Sequence, residues 1–192
     1  MAVTNILINP YGKPTVYREN EEVSMRIYGG ILHDQIIIMD AHFQFRNTNQ
    51  ADYYLNCLSE IWSGSYSVNG QSTRVVLNTH LTPSENGKYI IVEYFADRKD
   101  KDNCCCWSVF TGTTEMSIVK LFKYDPSGKE RQELNIIFAH EFGHCLGIRD
   151  HYLDPGGDFP SIMNRISFGV TDYDIAMALL AFQTGNRQRW GE

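Results

Sequence analysis

The chain has 192 residues, of which 43% are hydrophobic and 21% charged, with a formal net charge of −6 at pH 7. That length suits one domain able to bury roughly 70% of its unfolded surface, and the acidic balance excludes a nonspecific nucleic-acid binder. No apolar run approaches the roughly 20 residues needed to span a bilayer, so neither nucleic acid nor membrane is an expected partner.

Residues 1–24 contain Pro10, Gly12, Pro14 and the run Arg18-Glu19-Asn20-Glu21-Glu22, which predicts an irregular lead-in with solvated charges. Residues 25–192 form the single expected domain. Near Met1 there is no basic region followed by an apolar stretch and a cleavage site, so a cytoplasmic location or export by a signal-independent route is expected. Gly29-Gly30 introduces a strand over 31–39. Asn49 then precedes Tyr53, Tyr54, Cys57, Leu58, Ile61 and Trp62, the spacing of a one-faced helix. Strands follow at 75–77 and 89–95, joined through Pro83 and Asn86-Gly87, and again at 107–111 and 116–124. After the turn Asp125-Pro126-Ser127-Gly128, a helix is predicted over 130–147 with Leu134, Ile137, Phe138 and Leu146 toward the core. A last helix, capped by Thr171 or Asp172, runs through Ile175, Met177, Leu179, Leu180 and Phe182.

The five cysteines, Cys57, Cys104, Cys105, Cys106 and Cys145, cannot all pair within one chain. Cys104 to Cys106 alternate direction on an extended backbone and do not converge on one ion, so core and edge positions under reducing conditions are expected. Cys145 reads as a small packing residue. His33, His42 and His80 stand apart and read as surface or hydrogen-bonded residues rather than ligands.

The chemistry concentrates in the segment from His140 to His151. On a helix, His140 and His144 share a face and can aim at one ion. Glu141 is displaced about 100° from the first histidine, which suits a carboxylate over the ion's open position better than a ligand. A zinc ion with three protein ligands lowers the pKa of a water to roughly 7, within reach of Glu141 as general base. The third ligand has to come from elsewhere. Gly147 predicts a helix stop at positive φ, after which the returning chain brings Asp150 to the ion, with His151 as the rival. A thermolysin-like third ligand needs a downstream Glu, and after Glu141 only Glu192 remains. Asp172 and Asp174 are read as helix caps.

The pattern H-E-x-x-H-x-x-G-x-x-D, from His140 to Asp150, resembles the metzincin zinc metallopeptidases, whose usual form ends in His. Asp150 followed by His151 and Tyr152 looks most like the snapalysin-type branch, in which Asp is the ligand. Ser161-Ile162-Met163-Asn164 resembles the family's Met-turn, whose methionine makes an apolar floor under the ligands. Arg165 stands where many members have Tyr.

The resemblance implies an α+β, zincin-like (metzincin) fold: a twisted mixed sheet with two long helices behind it, a Met-turn and a C-terminal helix. It implies one catalytic Zn2+ on His140, His144 and Asp150, with Glu141 as base, in a monomeric endopeptidase acting on peptides or proteins. Substrate would lie along an edge strand, for which 107–111 is the expected segment. Ile166 and Phe168 suggest a preference for an apolar side chain, and a small acidic chain of this kind fits a narrow-specificity bacterial effector or toxin protease. The alternative is a noncatalytic, zinc-stabilised binding module with the same fold. Glu141 speaks against it, because a closed structural site needs no base.

Overall fold

The computed structural model describes residues 13–29, 34–95, 106–111, 114–122, 134–150, 160–164 and 169–185. In chain order the elements are β1 (Thr15–Tyr17), β2 (Val23–Tyr28), β3 (Gln35–Arg46), α1 (Ala51–Trp62), β4 (Gly64–Val68), β5 (Gln71–His80), β6 (Ile90–Phe95), β7 (Cys106–Thr111), β8 (Thr114–Phe122), α2 (Leu134–Cys145) and α3 (Asp172–Thr184). The class is mixed α+β, built on a mixed sheet.

β3 organises that sheet because it is long enough to serve several neighbours. It pairs antiparallel with β2, parallel with β5 along Gln35 to His42, and parallel with β6 along Phe43 to Arg46. β8 continues parallel to β6, and β7 lies antiparallel beside β8 at the end of the order. Parallel neighbours cannot be joined by a tight turn, and α1 supplies the crossover from β3 toward β5. Side chains alternate along β3: Ile37, Met39, Ala41 and Phe43 are buried on one face, while Asp40, His42, Gln44 and Arg46 occupy the other.

Both α1 and α2 pack on the face that carries Phe43. Phe138 and Phe142, one turn apart on α2, meet the Phe43 ring at 5.8 and 5.9 Å between centroids, and Phe45 stacks on Tyr54 of α1 at 6.1 Å. The buried Trp62 indole donates to the Ala139 carbonyl at 2.9 Å, tying α1 to α2. Two residues further along a helix is a rotation of about 200°. Burying Phe138 and Phe142 against the sheet therefore turns His140 and His144 away from it.

Several expected boundaries shift. Part of the lead-in is regular: β1 and β2 form an antiparallel hairpin on β3. Its charges are not all solvated, since Glu22 is buried and pairs with Arg18 at 2.9 Å, while Glu21 meets Lys88 at 2.5 Å. The strand expected over 31–39 runs over Gln35–Arg46 instead, with 31–33 outside the described residues. β4 has no counterpart in the expected elements. Its two-residue link to β5, Asn69-Gly70, has φ of 54° and 77°, a turn with positive φ at both positions whose twist matches the flanking strands. On the helices, Tyr53 and Leu180 are exposed rather than core-facing.

α2 is described from Leu134; 125–128 and 130–133, like Cys104, Cys105 and His33, lie outside the described residues. Cys57 and Cys145 are in no disulfide. No helix among the described residues is long and apolar enough to cross a membrane.

Candidate metal centre

The end of α2 is closed by backbone geometry. Gly147 has φ +93°, its N–H donates to the His144 carbonyl at 2.9 Å, and the Ile148 N–H reaches back to the Gly143 carbonyl at 3.0 Å. This is the paired closure of a Schellman motif, which a residue with a Cβ at the left-handed position would strain. The predicted stop is thus present, and the chain beyond it returns over the His pair. Ile148 then offers its carbonyl to His144 Nδ1 at 2.8 Å, and Asp150 is carried into the interior, 4% exposed.

A second loop serves the other histidine. Ser161 to Asn164 make a tight turn closed by the Asn164 N–H on the Ser161 carbonyl at 3.0 Å, and all four residues are buried. The Ile162 carbonyl of this turn lies 2.8 Å from His140 Nδ1. Met163 is fully buried beneath α2, its sulfur lying where a side chain on Gly143 would have to go.

A carbonyl can only accept, so each Nδ1 bears the hydrogen and each neutral imidazole has its lone pair on Nε2. The two rings stand nearly perpendicular, 89° between planes, with centroids 5.1 Å apart. Ligand atoms of His140, Glu141 and His144 lie within 4.8 Å of one another, and this group could hold a metal ion. Asp150 comes closer to both imidazoles than Glu141 comes to His144. Its Oδ1 is 3.2 Å from His140 Nε2 and 3.7 Å from His144 Nε2, against 3.9 Å from Glu141 Oε2 to His144 Nε2. Donors at about 2.0–2.2 Å from a tetrahedral ion are separated by about 3.3–3.6 Å, and the two Asp150 distances, 3.2 and 3.7 Å, fall within about 0.1 Å of that range. Around His140, burial opposes the charged form. The hydrogen bond to Asp150, the charge of Glu141, the Ile162 carbonyl and the charge of Asp150 together outweigh it and raise the pKa.

Other candidates fall away from this centre. His42 and His80 stack on neighbouring strands, 4.8 Å between centroids and 24° between planes, with His42 Nδ1 on the Thr82 carbonyl and His80 Nε2 on Asp40. Both are hydrogen-bonded residues, as expected, but the pairing of β3 with β5 stacks two histidines that were expected to stand apart. Asp172 does not cap α3; its carboxylate accepts the Ser67 N–H at 3.0 Å. Asp174 accepts the Thr171 N–H at 2.8 Å, as a cap would, but also binds the Ser161 turn. His151, Tyr152, residues 154–158, Arg165, Ile166 and Phe168 lie outside the described residues.

Tyr66 on β4 reports on the same carboxylates. Burial first, then the charges of Asp174 and Asp172, push its phenol up to about 12. An unfolded tyrosine ionises near 10. The folded state holds the proton longer, so stability should be flat in this respect below about pH 10 and fall as pH rises toward 12. Urea midpoints between pH 9 and 11 should decline less steeply for Tyr66→Phe; parallel slopes would contradict this assignment.

Scans of the chain against protein-family models, against curated proteins and against solved structures each find no match.

Proposed function

We propose that this protein is a zinc-dependent endopeptidase of zincin-like, metzincin-type fold. In this reading His140, His144 and Asp150 hold one Zn2+ and Glu141 is the general base. The observation that carries the proposal is the convergence of two Nε2 atoms and Asp150 Oδ1, with both Nδ1 atoms already held by main-chain carbonyls. Imidazole and carboxylate donors suit zinc, and a second-layer acceptor on each ligating His sets tautomer and ring orientation.

When bound, the ion supplies Lewis acidity to a carbonyl oxygen and acidifies a water. The chain's own residues do the rest. Glu141, buried beside His144, receives the proton of the attacking water and returns it to the departing amine nitrogen. Asp150 brings a negative charge among the ligands, which makes the water less acidic than an all-histidine set would and leaves more of the activation to Glu141. Peptide substrates have a natural place on β7, which ends the order of strands and can extend the sheet through backbone hydrogen bonds.

Zinc titration of the metal-free protein, followed by incubation with unfolded casein, tests this reading. One ion per chain and chelator-sensitive cleavage are expected. Asp150→Ala should weaken zinc by more than the 10–100-fold typical of an outer-layer change. An Asp150→Ala protein with the parent's affinity removes Asp150 from the ligand set. Stoichiometric zinc without cleavage of casein or of a diverse peptide library favours the noncatalytic module, and cleavage confined to one library sequence favours the narrow-specificity effector.

A further inference from the structure

We propose that Asp174, on α3 and outside the metal-binding motif, is a positioning residue for the metal centre, coupled to His140 through Ser161 and the Ile162–Met163 peptide. This rests on the reading of His140 as a zinc ligand. Four hydrogen-bonding groups make the connection, all with the same polarity. The Ser161 hydroxyl donates to Asp174 Oδ1 at 2.5 Å, and the Met163 N–H donates to Ser161 Oγ at 3.0 Å. That N–H belongs to the same peptide unit as the Ile162 carbonyl, which accepts from His140 Nδ1 at 2.8 Å.

Every donor in the chain points toward the carboxylate. Polarisation of one bond strengthens the next when donors and acceptors alternate in this order, and low local dielectric enhances the effect. A negative charge at Asp174 makes Ser161 Oγ a better acceptor, which makes the Ile162 carbonyl a better acceptor for the His140 ring hydrogen. The result at Nε2 is greater basicity and a fixed ring plane, the two properties that an outer-layer partner confers on a ligating histidine.

Helix capping does not account for this carboxylate by itself. Oδ2 takes the capping Thr171 N–H at 2.8 Å and, more weakly, the Ile162 N–H of the turn at 3.4 Å. Oδ1 takes the Ser161 hydroxyl, thirteen residues away in sequence and inside the turn that holds His140. Asp174 is fully buried, and a carboxylate removed from water is tolerated only when donors surround it. Here a capping donor and the turn meet on one side chain, so the position of α3 and the orientation of His140 are set together.

Zinc affinity, measured by competition with a chromophoric chelator on the full chain, tests the coupling. Ser161→Ala and Asp174→Asn should each weaken zinc by about 10–100-fold. Thr171→Val, which removes the hydroxyl's bonds to Asp174 Oδ2 and to the Pro160 carbonyl but leaves the Ser161–Oδ1 bond in place, should stay within about threefold of the parent while lowering metal-free stability. In the zinc-loaded protein the His140 Nδ1–H proton resonance should move upfield in the first two variants and stay in place in the third. Asp174→Asn keeps the side chain's shape, so it decides the question if Ser161→Ala does not fold. Parent-like affinity and an unmoved resonance in Asp174→Asn overturn the proposal, as does equal weakening by Thr171→Val. A parent that binds no zinc overturns the metal reading and this coupling together; a parent that binds zinc, with variants that bind equally, overturns the coupling alone.

Discussion

Glu141→Gln is expected to retain one zinc ion per chain and the parent's fold while losing peptide hydrolysis by about 10²–10⁴-fold, the usual contribution of a positioned base. The substitution keeps the volume of a buried side chain and one acceptor oxygen, so the cavity beside His144 is not emptied. What it removes is the basic carboxylate. The Asp150 oxygen lies closer to each imidazole than Glu141 lies to His144, and the ion should therefore survive the change. Zinc content and kcat/KM measured on the same preparation decide the matter. Parent-like turnover would reject Glu141 as base, and loss of zinc along with activity would make it a ligand.

Gly143→Ala sets two physical effects against each other. Inside an exposed helix, alanine is favoured over glycine by about 1 kcal/mol. Here the new Cβ would overlap the Met163 sulfur, stand 3.1 Å from Met163 Cε and come within 3.4 Å of the Trp62 ring. Met163 and Trp62 are fully buried, so neither has solvent to move into. Overpacking of this kind costs about 1–3 kcal/mol, and the expected net result is destabilisation of the metal-free protein. There is also a consequence for the ligands. Met163 shares its turn with the carbonyl that holds His140, so displacement of the methionine should reduce zinc affinity as well. Urea unfolding of the metal-free form and a zinc titration provide the two readouts. A variant more stable than its parent would mean that the turn yields freely and that Met163 does not shape the centre.

The parts of the molecule that were legible in the sequence are those governed by local chemistry. Gly147 is a local signal for a helix stop, because glycine takes the positive φ of the closing turn without steric cost. The spacing of Tyr54, Leu58 and Trp62 reports a buried helix face without reference to the sheet. Asn69-Gly70 is an equally local signal for the β4–β5 hairpin, and the polar composition of Gly64–Val68 masks the strand beside it. The β1–β2 hairpin is of another kind. Arg18 and Glu22 read as solvated charges until the fold places Glu22 in the interior and Arg18 over the Phe182 ring at 5.0 Å. Arg18 and Glu22 are only four residues apart, but the burial of Glu22 and the contact with Phe182 are created by tertiary structure, and no window of sequence contains them.

The centre divides in the same way. His140, Glu141, His144 and Asp150 are brought together as their spacing predicts, since one helix and one turn determine their separation. The double duty of Asp174 was hidden because capping explains it adequately along the chain. Only the approach of the Ser161 turn gives its second oxygen a partner.

The two groups that orient the imidazoles, the carbonyls of Ile148 and Ile162, belong to the main chain. Every amino acid carries that acceptor, so evolution can exchange the side chains at positions 148 and 162 without erasing either contact. A comparison of diverged sequences scored by residue identity would therefore undervalue both positions. What selection has to preserve is the path of the backbone, and the substitutions that threaten it are those at Gly147, Gly143 and Ser161, where the path itself is decided.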